Sequence, residues 1–152
     1  MRRSDKEITE RAEIDRVIRQ ATVCRLAMAD EEGPYIVPLS FGYDGETLYF
    51  HSAREGKKLS ILRKHPKVCF EFDVAVEASP GETPCKWSMA YRSVIGFGEA
   101  EFIASPEGRC KALDRIVAHY SDGSSFAYTE AALSGVSVFQ VNIREVSGKR
   151  SA

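Results

Sequence analysis

The sequence predicts a mainly β protein, a small barrel of six or seven strands with peripheral helices, and three observations carry that expectation. Short runs rich in Val, Ile, Tyr and Phe recur from Val23 onward, turn signals such as Asp44-Gly45 separate them, and helical spacing dominates only near the N-terminus and after Ser105. Many short strands with few helices close into a barrel, which leaves no free edges. The 152 residues, 43% of them hydrophobic, suffice for a real core, and nothing divides them. Residues 1–152 are therefore expected to form a single domain.

Ile8, Ala12, Ile14, Val17, Ile18 and Ala21 lie at helical spacing among charges and predict an amphipathic helix over residues 6–20. Val23 to Met28 then reads as a strand, Asp30 to Pro34 as a turn and Tyr35 to Tyr43 as a second strand, together a hairpin. Asp44-Gly45 is a tight-turn signal into a third strand, Thr47 to His51. Pro38 stands out, because proline has no N–H to donate to a ladder. It marks a bulge, an edge, or a place where the backbone faces a ligand.

Between Glu55 and Lys64, Leu59 and Leu62 sit at i and i+3 among basic residues, and Pro66 ends the segment, which reads as a short helix. Val68 to Val76 predicts a strand and Glu77 to Pro84 a polar surface loop. Tyr91 to Ile103 alternates from Val94 onward, with Gly96 and Gly98 as points of sharp bending. Ser105-Pro106-Glu107 places a capping serine before a first-turn proline and opens a helix that runs to Tyr120. A loop at Ser121 to Ser125 follows, and Val136 to Ile143 alternates as a final strand. The tail from Glu145 to Ala152 reads as solvated.

Lys and Arg total 21 against 22 for Asp and Glu, a net charge of −1, so no global basic field recruits nucleic acid. The charged start Met1-Arg2-Arg3-Ser4-Asp5 lacks the apolar core of a signal peptide, and no apolar run approaches the roughly 20 residues of a membrane span. A cytoplasmic protein with no membrane partner is the expectation. The four cysteines show no CxxC pair, and Cys24 and Cys69 fall inside apolar strands, where a thiol acts as a small hydrophobe. Cys85 is the only one beside both Lys and Trp, and one neighbouring lysine is weak support for an activated thiol. The three histidines lie far apart without ligand spacing, so no metal site is expected.

The chemistry concentrates in Tyr49-Phe50-His51-Ser52-Ala53, Gly56-Lys57-Lys58 and His65-Pro66. An apolar strand ends in small polar residues just where a helix begins, so helix-end N–H groups and two lysines converge, and a phosphate suits that place. Neither a Walker loop nor a dinucleotide fingerprint accompanies it. A phosphate-tailed cofactor on a β scaffold fits better.

Those segments, together with Tyr35-Ile36-Val37-Pro38-Leu39-Ser40-Phe41 and Tyr91-Arg92-Ser93-Val94-Ile95-Gly96-Phe97-Gly98, resemble the pyridoxamine 5'-phosphate oxidase-like flavoproteins, and the nearest branch resembles the 5-nitroimidazole resistance proteins. The resemblance implies an FMN-binding split β-barrel that forms a homodimer, with the cofactor in clefts between subunits. By the same resemblance, Val37, Pro38, Leu39 and Ser40 line the flavin, and His51, Ser52 and Ala53 run beside the ribityl chain and phosphate. Lys58 matches the phosphate-binding lysine, with Lys57 as its companion. Arg92 and Ser93 reach the cofactor from a later strand, and Trp87 and Tyr91 cover the ring.

His51 is a hydrogen-bonded half-buried side chain on one reading. On the other, which the resistance-protein resemblance implies, it is the active-site proton donor, and imidazole suits that task. The function expected is an FMN-dependent oxidoreductase acting on a small electron-poor substrate such as a nitro-aromatic or quinone. Alternatives are pyridoxamine 5'-phosphate oxidation, a haem- or deazaflavin-binding split barrel, and a non-catalytic flavin-binding or redox-sensing protein. The oxidase alternative is disfavoured because the chain lacks that family's basic C-terminal substrate signature.

Overall fold

A computed structural model describes residues 3–123 and 126–151. Met1, Arg2 and Ala152 at the termini, and the Ser124-Ser125 part of the expected loop, lie outside them. Among the described residues eight strands form one antiparallel sheet: β1 (Glu7–Ile8), β2 (Cys24–Asp30), β3 (Gly33–Leu39), β4 (Gly42–Tyr43), β5 (Thr47–Ala53), β6 (Lys67–Ser79), β7 (Ser88–Phe102) and β8 (Val136–Ser151). Four helices surround it: α1 (Arg11–Gln20), α2 (Lys57–Lys64), α3 (Pro106–Tyr120) and α4 (Glu130–Ser134). Six strands are long and two, β1 and β4, span two residues, which places the expected six or seven strands within a mainly β fold.

Strand order is β3-β2-β6-β7-β8-β5-β4, with β1 added alongside β8. The expectation that closure removes every edge is corrected here. Among the described residues no ladder joins β3 to β5, so the barrel is split. β3 pairs with β2 alone, and the His51 to Ala53 end of β5 pairs with β8 alone. Pro38 therefore sits in an edge strand, opposite Arg25.

One face of the curled sheet makes the core. Phe50 stacks on Phe139 at 5.1 Å, Phe41 lies 4.8 Å from Phe72, and all four rings are fully buried. α1 adds Ile14, Val17 and Ile18, each worth about 1.5–3 kcal/mol as it leaves water. α3 lies against β4 because Gly42 has no side chain; a Cβ there would come within 2.6 Å of the Ile116 nitrogen. Its last turn ties two junctions together, since the Tyr120 hydroxyl donates to the Thr22 carbonyl at 2.9 Å and accepts from the Phe41 N–H at 3.1 Å.

Several local expectations hold. Asp44 Oδ1 accepts from the N–H groups of Glu46 and Thr47, with Gly45 at a φ of 111°, and this turn launches β5. Ser105 accepts from Gly108 N–H at 3.2 Å and caps α3. β7 is irregular between Phe97 and Gly98, where bending was expected. Several boundaries differ, among them β6, which runs to Ser79 inside the expected loop, and β7, which begins at Ser88. The first helix begins at Arg11, because Ile8 is buried in β1 beside Gly148 of β8 rather than on a helix. The second expected strand breaks at Ser40-Phe41 into β3 and β4. The tail is no solvated end: β8 continues to Ser151 between β7 and β1. Its exposed Arg144, Glu145, Ser147 and Arg150 disguise a strand that also holds the half-buried Val146 and the buried Gly148.

Candidate cofactor site

The split is built from the sequence outward. β5 alternates strictly, so Leu48, Phe50 and Ser52 face the core side while His51 and Ala53 face out and are exposed. Ser52 is thus a hydroxyl on a row otherwise occupied by Leu and Phe, and its Oγ is buried without a hydrogen-bond partner. A buried orphan hydroxyl costs about 1–3 kcal/mol unless something completes it. Directly afterwards the chain turns at Gly56, whose φ of 144° suits glycine, and α2 begins. No side chain caps this N-terminus and no acidic residue lies in its first turn, so its N–H groups and positive dipole end remain available to an anion.

The two lysines of that turn differ. Lys57 is engaged, 3.1 Å from Glu32 and 5.3 Å from the Tyr35 ring centroid, and the hydrogen bond to the Glu32 carboxylate holds its ammonium above the ordinary lysine range. Lys58 is half-buried and has no ion-pair partner among the described residues. Glu32, in the β2–β3 turn, was not anticipated from the sequence. It lies 25 positions from Lys57, and no local signal links them. Its contact shows that the start of α2 reaches across to the β3 side of the split.

On β3, Val37 and Leu39 pack toward the core, whereas Pro38 and, just past the strand, Ser40 are exposed. The structure therefore places Val37, Pro38, Leu39 and Ser40 on or just past the unpaired edge of β3, His51, Ser52 and Ala53 at the end of β5, and Lys57 and Lys58 at the start of α2, where Lys57 reaches Glu32 and Tyr35. It does not bring the later group there within the chain. Arg92 lies 3.8 Å from Glu13 of α1 and lines a different cleft with Lys6, Tyr91 and Arg150. Lys149 lies 5.8 Å over the Tyr91 ring, Ser93 pairs with Asp73, and Trp87 is 57% exposed. β7 stands three strands from β3 in the sheet, about 14 Å at ordinary strand spacing.

The outer face between these groups is partly apolar. Register aligns Ile36, Ala27, Cys69 and Phe97 in one row across β3, β2, β6 and β7, and Ile36 and Phe97 are exposed. In the next row Arg25 pairs with Glu71 at 3.0 Å and with Asp73. Burial pushes the Glu71 carboxyl up despite that guanidinium. Burial likewise pushes the Cys24 and Cys69 thiols up, so neither is an activated nucleophile. His65 lies 3.3 Å from Glu31, and His119 is bonded to the Ala21 carbonyl, so neither joins His51.

Residues 10–150 match the family model described as pyridoxamine 5'-phosphate oxidase. The chain belongs to that family. A solved structure of a candidate 5-nitroimidazole antibiotic resistance protein from Bacteroides thetaiotaomicron is 35% identical, with a TM-score of 0.84 over 94% of this chain and 85% of that one. A FAD-binding protein from Mesorhizobium loti is 25% identical, with a TM-score of 0.69 over 97% of this chain and 98% of its own. An uncharacterized protein of Rhizobium meliloti (strain 1021) is 33% identical over 101 residues, and the match spans 66% of this chain but only 60% of that relative's length. Further neighbours under 25% identical include a flavocytochrome, a FAD- and haem-binding protein and an F420 reductase, and they establish the fold alone. Among the described residues of this family member, no helix is long and apolar enough to cross a membrane.

Proposed function

We propose that residues 1–152 form a single FMN-binding split-barrel domain, a cytoplasmic homodimeric oxidoreductase that reduces a small electron-poor substrate such as a nitro-aromatic or quinone. The buried, partnerless Ser52 hydroxyl at the foot of an uncapped helix start carries the cofactor assignment, because a phosphate or ribityl oxygen would complete it. Family membership, the likeness to a candidate nitroimidazole resistance protein and the likeness to a FAD-binding protein support the same reading. Four unpaired cysteines suit a reducing compartment.

When bound, FMN supplies the electron transfer. The chain supplies the rest. Lys58 holds the phosphate with a charge-assisted hydrogen bond, helped by the α2 N–H groups and by Ser52. The free edge of β3 beside Pro38 offers unpaired backbone groups to the polar rim of the ring, so the proline costs no ladder bond there. His51, exposed at the free end of β5, holds the proton that passes from its imidazole nitrogen to a substrate oxygen. A second copy docked on the Ile36 and Phe97 row removes that apolar surface from water and brings another subunit's Arg92, Ser93, Trp87 and Tyr91 toward the split. Pyridoxamine 5'-phosphate oxidation is less well supported, since Lys149 lies over Tyr91 and Arg150 is paired with Glu13.

The test is the visible spectrum of the purified protein during titration with FMN. Flavin bands with saturable uptake at micromolar FMN are expected, whereas a Soret band or no uptake overturns the assignment. For the reaction, His51→Ala is expected to lower nitro-aromatic turnover about 100-fold while flavin occupancy stays unchanged. Equal turnover would return His51 to an ordinary surface histidine.

A further inference from the structure

Against the last turn of α2, and beside the end of β5 that leads into its first turn, a groove of about 370 Å³ opens between β5, the end of β7 and the start of β8. Arg54, Arg63 and Arg109 all line it, with the Ser137 hydroxyl beside them, with Ser134 donating instead to the Ala131 carbonyl, and with Phe102, Ile103 and Val138 as an apolar wall. Among the described residues no carboxylate lines the groove, and Glu55 lines an adjoining mouth that Arg54 and Arg63 share. Elsewhere Arg3, Arg11, Arg25, Arg92, Arg144 and Arg150 each sit beside a carboxylate, whereas Arg16, Arg19 and Arg115 make no ion pair among the described residues but lie outside this groove. Arg54, Arg63 and Arg109 have no carboxylate partner among the described residues.

Three like charges on one groove repel one another and are relieved by an anion. Two of them are already held in place. Arg109 Nη2 donates to the Leu133 and Val136 carbonyls, which caps the end of α4, and its buried Nε–H lacks a partner. The Arg63 guanidinium lies 5.1 Å over the Phe102 ring centroid. A guanidinium already held in place loses little freedom on binding an anion.

We propose that Arg54, Arg63 and Arg109 form a second anion site, distinct from the cofactor cradle, that holds the phosphate of a small organic phosphomonoester against the wall of Phe102, Ile103 and Val138. The size of the groove suits a small molecule rather than a macromolecule. The second site adjoins the cradle, because Arg54 follows Ala53 just before α2 and Ser137 pairs with Ser52, but it takes its charge from other side chains. Lys58 serves the cofactor at the start of α2, and Arg63 in its last turn serves the second ligand.

The experiment is calorimetric titration of the full chain with phenyl phosphate, with and without FMN added. Saturable binding is expected in both conditions, weakened about tenfold or more by Arg63→Gln and by Arg54→Gln, with FMN uptake by either variant unchanged. Lys58→Ala is expected to behave in the opposite way, losing FMN affinity and keeping phenyl phosphate. No binding at millimolar phenyl phosphate overturns the site, as does binding that both arginine substitutions leave intact. Arg63→Gln weakening FMN as strongly as phenyl phosphate overturns the separation and makes the groove part of the cofactor cradle. Failure of FMN uptake alone, with phenyl phosphate still bound through the arginines, counts against the flavin assignment and not against this site.

Discussion

The β6–β7–β8 ladder and the split between β3 and β5 are made from the same kind of alternating strand, yet they end in opposite states. In the ladder, pairing runs from Tyr91 opposite Ser151 to Phe102 opposite Phe139, and the other edge of β7 is paired with β6 as far as Ser79 opposite Ser88. At the split, β3 has one neighbour, the end of β5 has one neighbour, Ser52 Oγ is orphaned and Lys58 lacks a carboxylate. Satisfied groups hold a fold together, whereas unsatisfied groups persist where a ligand completes them. The contrast separates what the chain uses for stability from what it keeps for binding.

Substitutions in the two regions are expected to fail differently. The largest effect belongs to the ladder. A Cβ on Gly96 would run into the Phe70 ring and come within 2.7 Å of the Glu145 carbonyl oxygen, so Gly96→Ala is expected to cost about 3 kcal/mol in urea unfolding. A loss under about 1 kcal/mol would show that the ladder gives way more easily than close packing allows. Lys58→Ala belongs to the split. It is expected to weaken FMN binding by roughly 1.5–3 kcal/mol and to leave the unfolding midpoint nearly unchanged. If stability falls and FMN affinity does not, Lys58 serves the fold and the contrast breaks at that residue.

Ser52→Ala sharpens the comparison further, because it removes an orphan donor. The FMN-free protein is expected to gain about 1 kcal/mol of stability while FMN affinity falls by a similar amount, read by thermal unfolding with and without FMN. Destabilisation of the FMN-free form would mean that the hydroxyl already has a partner. The smallest effect lies in the turn that launches β5. Burial raises the Asp44 carboxyl, but hydrogen bonds from the Tyr49 hydroxyl and the Glu46 and Thr47 N–H groups outweigh it, so its value lies below the ordinary range. A depressed carboxylate contributes stability above its unfolded value and loses it as pH falls through the folded one. The stability gap between wild type and Asp44→Ala should therefore close below about pH 4, read from urea midpoints across pH. A gap constant to strongly acid pH would assign the turn to backbone geometry instead.

How much of this was legible depends on how local each cause is. The Asp44-Gly45 turn and the Ser105 cap are written in adjacent residues, and the sequence reveals them because their hydrogen bonds close within a few positions, whereas the irregularity in β7 shows only through its glycines, its pairing being with distant β8. The strand end and helix start of the proposed cradle were legible because His51, Ser52, Gly56, Lys57 and Lys58 follow one another closely. Ile8 was misassigned to the first helix because its partner, Gly148, is 140 positions away, and the end of β8 was hidden for the same reason.

The sequence by itself determined the strand alternation, the turns and the placement of small polar residues and lysines at a helix start, since each follows from short-range sterics and capping. Only the tertiary structure decided that β3 and β5 stay unjoined, that Ser52 is left without a partner, and that Arg92 turns to Glu13 rather than to Lys58. It also gathered Arg54, Arg63 and Arg109 from positions up to 55 residues apart onto one groove. Side-chain partners across such distances are set by sheet order and register, which no local pattern encodes.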